Sequence, residues 1–295
     1  MVPAPAFAVS SMVLVQLGTA LSTRLFLALT PAGSTWLRLV VAAIILMALN
    51  RPALRAIPRS VLLGAALLGG VTGLLMLTFI EAVARIPLGT AAAIEFLGPL
   101  SVAAVRRHRR LALIWPAIAL LGVLLLTQPW VGHLNLPGIG FALAAAAGWA
   151  AYILLTQRMG AQLAGLQALA ISLSTAAVVT APFGAWAAIT GLTPTTAAQG
   201  AGLAVLVPLL SFSFELLALR RMRVAAFGTL MALEPGIATV LGLAVLTQMP
   251  NPSQVVGVAA VVAAGVGAQR STPAHTRSRR TADDPVNQQP APHSG

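Results

Sequence analysis

The chain has 295 residues, of which 58% are hydrophobic and 8% charged, with a mean hydropathy of +0.90 and a net charge of +12. Soluble domains use about 25% charged residues, so this composition excludes an ordinary soluble fold and specifies an all-α integral membrane protein. Cysteine is absent, which excludes a disulfide framework, a thiolate metal site and a cysteine nucleophile.

A membrane-spanning helix needs about 20 mostly apolar residues. With Pro, Gly and Arg clusters as punctuation, ten spans are expected, at 7–28, 32–50, 60–82, 88–105, 111–129, 137–157, 165–189, 198–218, 225–247 and 252–269. The first lacks a basic leader and a convincing cleavage site, so it reads as a retained span. Every cation is an arginine. Arg51, Arg55 and Arg59 follow span two, Arg106, Arg107, Arg109 and Arg110 follow span four, and Arg158 follows span six. Arg220, Arg221 and Arg223 follow span eight, and Arg270, Arg277, Arg279 and Arg280 follow span ten. Among the odd-numbered exits only Arg85 occurs. The positive-inside rule therefore places both termini in the cytoplasm of a multi-pass protein of the plasma or inner membrane, and the charge marks orientation, with no nucleic-acid partner. On this topology Ser34 and Gln199 are expected to be reachable from outside, and Ser60 and Ser271 are not. Residues 270–295 are polar and aperiodic and read as a disordered cytoplasmic tail.

Five spans per half give the halves opposite orientations, the inverted-repeat plan of many secondary transporters. The expected units are 1–130 and 131–269. "ARIPLGTAAAIEFLGP" and "RRMRVAAFGTLMALEP" place Arg85 and Arg221 at the same separation as Pro99 and Pro235, which favours duplication.

Before the tail the chain carries four acids, Glu81, Glu95, Glu215 and Glu234, all inside expected spans. An ionisable group at membrane depth calls for a function by default. Glu81 lies at an outer helix end with Arg85 one turn on, an i,i+4 pair that the interface tolerates; Glu215 lies near an inner end beside the Arg220–Arg223 cluster. For both, an interfacial ion pair competes with function. Glu95 and Glu234 fall near the bilayer midplane at ~1.5 Å per residue. Pro99 leaves the carbonyl of Glu95 without its helical donor, and Pro235 does the same to Met231. Freed carbonyls at that depth require cover from protein or a wet cavity. Each half thus brings a helix break and a glutamate to the centre, and Glu95 and Glu234 become candidates to take up and release a proton, against the alternative of permanently protonated structural acids.

Arg24 sits near the outer end of span one, where snorkelling to headgroups accounts for it. Arg38 is deeper; it either snorkels or offers its planar fork to a substrate carboxylate. Gln16, Thr19 and Thr23 share a face of span one and either line a polar path or bond between helices. Trp149 and Tyr152 share a face of span six, where packing is the expected role. No metal-ligand spacing, nucleophile–base pair or phosphate loop is present, so neither a cofactor nor an enzyme activity is expected.

The motifs "LLALRRM" with "FGTLMALEP", "RIPLGTAAAIEFLGPLSVA", "GWAAYILLTQRMG" and the Leu37–Arg38 pair together resemble the threonine and homoserine exporter branch of the drug/metabolite transporter superfamily, the EamA-type permeases. The resemblance spans about residues 7–268. It implies ten transmembrane helices in two inverted five-helix repeats, a central cavity, and export of small amino acids or related metabolites by proton exchange, with protons, a small-molecule substrate and the lipid bilayer as partners. It places the family's acids on Glu95 and Glu234 and its basic position on Arg38. The chain departs from the pattern at Leu246, Thr247 and Gln248, where an acid is frequent, and at Arg223, where proline is frequent. A multidrug or other-metabolite exporter is the alternative within the superfamily; a passive channel and a membrane enzyme are the rivals outside it.

Overall fold

The computed structural model describes residues 3–51, 57–105, 114–130, 134–159, 166–222 and 224–270. Arg55, Arg106, Arg107, Arg109, Arg110 and Arg223, the four histidines, and the expected tail from Ser271 onward lie outside the described residues. Among the described residues the regular structure is entirely helical. In chain order it comprises α1 (Ala4–Ser22), a 3-10 turn (Thr23–Leu25), α2 (Phe26–Asn50), α3 (Arg59–Val83), α4 (Leu88–Glu95), α5 (Leu97–Val105), α6 (Ile114–Thr127) and α7 (Leu136–Met159). There follow α8 (Leu166–Thr190), α9 (Pro194–Ala204), a π-helical turn (Val205–Leu210), α10 (Ser211–Arg221), α11 (Val224–Met231), α12 (Glu234–Leu246) and α13 (Pro252–Arg270).

Six described stretches are long and apolar enough to cross a membrane: Ala4–Asn50, Arg59–Val83, Leu136–Arg158, Gln167–Thr190, Pro194–Glu215 and Ala226–Leu246. Leu88–Ala103, Ile114–Thr127 and Pro252–Ala268 are shorter apolar helices. The two spans expected at the start fall within one kinked helical stretch of 47 residues. Only Thr30 leaves helical geometry, at φ 59 and ψ 165, ahead of Pro31. Its Oγ1 accepts from the Gly33 N–H at 3.2 Å, so Thr30 caps the piece that follows, and Pro31 sits in the first turn, where its missing N–H does no harm.

Three further breaks come deep in the chain's apolar runs. Phe96 separates α4 from α5, directly after Glu95 and three residues before Pro99. Ala232 and Leu233 separate α11 from α12, directly before Glu234, and Pro235 occupies the first turn of α12. The third break was not anticipated: within the expected eighth span Val207 is extended, at φ −140 and ψ 117, ahead of Pro208. All three interrupt the i→i−4 ladder at or just before a proline, whose ring removes a donor and crowds the preceding turn.

Small residues set the packing. Helix α2 packs along α8, α6 along α13, and α3 against both α7 and α8. Helix α1 lies along α10, α9 against α2, and α4 against α12. Gly69 and Gly73 of α3 meet Ser172 and Ala176 of α8, a small-xxx-small face on each partner. A Cβ on Gly69 would stand 2.8 Å from both Cα and the carbonyl carbon of Ser172, a backbone that cannot step aside. Beside it the Ser172 hydroxyl donates to the Ala65 carbonyl at 2.9 Å. Gly122 of α6 and Gly257 of α13 approach each other reciprocally: a Cβ added to either would stand 2.7 Å from the other's carbonyl oxygen.

Substituting Gly69→Val forces α3 and α8 apart. It is expected to destabilise the protein by about 1–3 kcal/mol, the usual effect of overpacking, and to lower the thermal midpoint in detergent. Gly140 has nothing within 4 Å of an added Cβ, so Gly140→Ala is expected to leave the midpoint unchanged or slightly raised.

Candidate functional site

The helix breaks and the deep charges converge on one central cavity, about 970 Å³ of non-atom space with its open mouth included. Helix α1 lends it Ser11, Met12, Val15 and Thr19; α2 lends Arg38; α3 lends Thr72, Leu75, Met76, Phe79 and Ile80. Glu95 reaches it from the last residue of α4 and Glu234 from the first of α12, while α7 contributes Trp149 and Tyr152. Val207, Phe212, Glu215 and Met231 complete the wall. Most of this surface is apolar or aromatic, with the polar groups few and placed singly, as in small-molecule sites generally.

Glu95 and Glu234 are brought to the same cavity. Glu95 is 7% exposed and Glu234 6%, and they lie within electrostatic range of one another, with Glu215 within range of Glu234. Gln16, wholly buried in α1, donates from Nε2 to Glu234 Oε1 at 3.0 Å. That bond leaves Gln16 Oε1 and Glu234 Oε2 buried without a partner.

Arg38 is buried as well, 2% exposed, so its guanidinium does not reach the protein surface. Its Nε and Nη1 have no hydrogen-bond acceptor, and the one ion pair among the described residues is Arg85 with Glu81. A buried guanidinium without a carboxylate is an expensive arrangement. One turn earlier on the same face of α2, the Ser34 hydroxyl is also buried and unpartnered. Ser34 is therefore not the externally reachable position that the sequence suggested, because the helix resumes at Pro31 and the Ser34 side chain is buried.

The remaining expected residues divide. Thr19 lines the cavity, whereas Thr23 is absent from the lining and its hydroxyl donates to the Ala20 carbonyl at 2.7 Å. Glu81 pairs with Arg85 one turn on, and the Arg85 guanidinium also lies 4.7 Å over the Phe141 ring. Glu215 lines the cavity, and Arg221 of the cluster expected to pair with it lies over the Phe7 ring at 5.1 Å. Trp149 packs edge-on to Phe96, centroids 6.5 Å apart, and together with Tyr152 also faces the cavity. Ser11, Thr72 and Ser34 were not singled out beforehand as site residues. The only sequence signal for Ser34 was its i,i+4 spacing from Arg38.

The EamA-like transporter family matches residues 136–267. The threonine/homoserine exporter RhtA of Escherichia coli K12 is 35% identical over 260 residues, covering 87% of this chain and 88% of that protein. The threonine/homoserine exporter RhtA of Salmonella typhimurium LT2 is 34% identical over 256 residues, 86% of each chain. A solved crystal structure superposes with a TM-score of 0.59 over 91% of this chain and 96% of its own at 21% identity, a likeness of fold. A helical membrane protein whose broken helices bring two glutamates and an unpaired arginine to one cavity, and which is homologous along most of its length to threonine/homoserine exporters, belongs to the EamA-like transporter family.

Proposed function

We propose that this protein exports small neutral amino acids, threonine and homoserine among them, in exchange for protons. The carrying observation is Arg38: a buried guanidinium with unmet donors, facing a cavity that also holds Glu95 and Glu234. A zwitterion supplies what each end lacks. Its carboxylate meets the planar fork of Arg38, and its ammonium meets a deprotonated glutamate. A protonated glutamate has no charge to offer the ammonium, so proton and substrate compete for the same carboxyl. Protons entering from outside displace the substrate, and outward transport follows when protons are more abundant outside.

The reading includes ten passes in two inverted five-helix repeats, with both termini cytoplasmic. The 47-residue stretch at the start is about 70 Å long at ~1.5 Å per residue, more than twice the ~30 Å hydrocarbon core, so its break at Thr30 divides it into two passes. The packing maps onto itself when the halves are exchanged. The α3–α7 contact becomes α1–α10, the α3–α8 contact becomes α2–α9, the α5–α7 contact becomes α1–α12, and α2–α8 and α6–α13 become themselves. The reciprocal approach of Gly122 and Gly257 fits the same two-fold relation, and the family match at 136–267 falls within the second unit.

One observation favours a second reading. Met12, Met76 and Met231 beside Phe79, Phe212 and Trp149 form an adaptable apolar wall, which suits a bulkier drug or metabolite.

Cells producing the protein are expected to tolerate excess threonine or homoserine and to release it faster than cells without it. In loaded vesicles under an inward proton gradient, Arg38→Gln is expected to slow release at least about tenfold, the equivalent of ~1.4 kcal/mol, with the protein still in the membrane. Retention of every small neutral amino acid by parent vesicles, with loss of a bulkier apolar solute, selects the second reading. Glu95→Gln and Glu234→Gln keep shape but remove the titrating proton; both are expected to abolish proton-driven release, whereas Glu81→Gln retains it. Equal transport by all three overturns the coupling assignment. Single cysteines at Thr195 and Gln199 are expected to react with an impermeant thiol reagent from outside, and those at Ser60 and Arg270 only after permeabilisation. All four positions are exposed, so the reverse pattern inverts the topology.

A further inference from the structure

The bond between Gln16 and Glu234 is half of what the two groups can make. An amide and a carboxyl each present two atoms in a plane, and here Nε2 of Gln16 serves Oε1 of Glu234 while Oε1 of Gln16 and Oε2 of Glu234 stay buried and unpartnered. A single proton on Glu234 Oε2 resolves both at once, because that O–H donates to Gln16 Oε1 and closes a two-bond ring. The terminal torsions of both side chains are soft and allow the planes to align. The two groups also sit on different elements, α1 and α12, which pack against each other beside the break before Glu234.

We propose that Gln16 is the positioning residue that converts the proton state of Glu234 into the docking of α1 on α12. With Glu234 neutral the ring holds the helices by two hydrogen bonds. When the proton leaves Oε2 for water in the cavity, the carboxyl gains one negative charge, the O–H bond to the amide is lost, and Gln16 Oε1 is left facing a carboxylate oxygen. One bond remains against a lone-pair repulsion, and α1 is free to part from α12. Gln16 is suited to this because it has no charge of its own and carries a donor and an acceptor side by side. A lysine or arginine would pair with the carboxylate alone. The inference rests on the proton-coupling reading of Glu234.

The other ionisable groups facing Glu234 are Glu95 from α4, Glu215 from α10, Arg38 from α2 and Tyr152 from α7. Helices α1 and α11 carry none, and α13 carries only Arg270 at its far end.

The test exploits the cysteine-free chain. Spin labels are placed on Val13→Cys in α1 and Val240→Cys in α12, neither of which lines the cavity, and the distance distribution is measured in lipid nanodiscs at acidic and alkaline pH. The parent is expected to give a short, narrow distance in acid and a longer, broader one in alkali. Glu234→Gln is expected to stay short at both, since two facing amides also close a two-bond ring. Gln16→Leu is expected to lose the pH response, and Glu95→Gln and Glu215→Gln to keep it. If Gln16→Leu does not accumulate, Gln16→Asn, one methylene shorter, takes its place. A parent distance that ignores pH overturns the inference, as does a response that survives loss of Gln16 or that disappears with Glu95 or Glu215 in place of Glu234. The distance measurement needs no cargo, so the two readings fail separately. Threonine flux without proton dependence in vesicles refutes the coupling assignment, whereas proton-driven flux with a pH-invariant distance refutes only the role of Gln16.

Discussion

Inside a bilayer nothing but the protein itself, or water it admits, can satisfy a backbone amide or a charge. The rest of this structure follows from that constraint. The chain breaks its helices at Phe96, at Val207 and at Ala232–Leu233, and next to each break stands a residue that faces the central cavity: Glu95, Val207 and Glu234. Loose backbone and deep charge thus share one location. The cavity that shelters freed carbonyls is also the place where an ionisable side chain can persist.

Close packing elsewhere makes that concentration possible. Gly69 and Gly73 against Ser172 and Ala176, and Gly122 against Gly257, bring backbones together where lipid offers no hydrophobic drive for association. Hydroxyls on these helices turn back onto carbonyls of their own preceding turns, as Thr72 does to Leu68, Ser174 to Ala170 and Thr180 to Ala176, so their donors are met within their own helix. Against this satisfied background the orphaned atoms of Arg38, Ser34, Gln16 and Glu234 stand apart. They are the groups for which a zwitterion and a proton are fitting partners.

The asymmetry of the two acids is also physical. Pro99 and Pro235 occupy matched places in the two halves, yet Glu95 ends α4 while Glu234 begins α12. Glu234 gains a partner from α1 in Gln16, whereas among the described residues no side chain hydrogen-bonds the Glu95 carboxyl. The two carboxyls therefore meet different surroundings within one cavity.

By itself the sequence determined what depends on local composition. Apolar runs of sufficient length dictated membrane helices, prolines marked the interruption of α4 from α5 and of α11 from α12, and the depth of Glu95 and Glu234 marked them apart from Glu81, whose pairing with Arg85 needs only one helical turn. Motifs shared with the exporters carried the family. What required the tertiary structure were the relations between distant segments. Residue spacing cannot tell whether Arg38 snorkels or faces inward, because the answer depends on which helices cover α2, chiefly α8. Glu215 and Tyr152 joined the site, and Thr23 left it, through the rotation of their helices about their own axes, which neighbours set. The bond from Gln16 to Glu234 joins residues at opposite ends of the chain, and no local pattern records such a meeting, since it exists only when the two halves close around the same cavity.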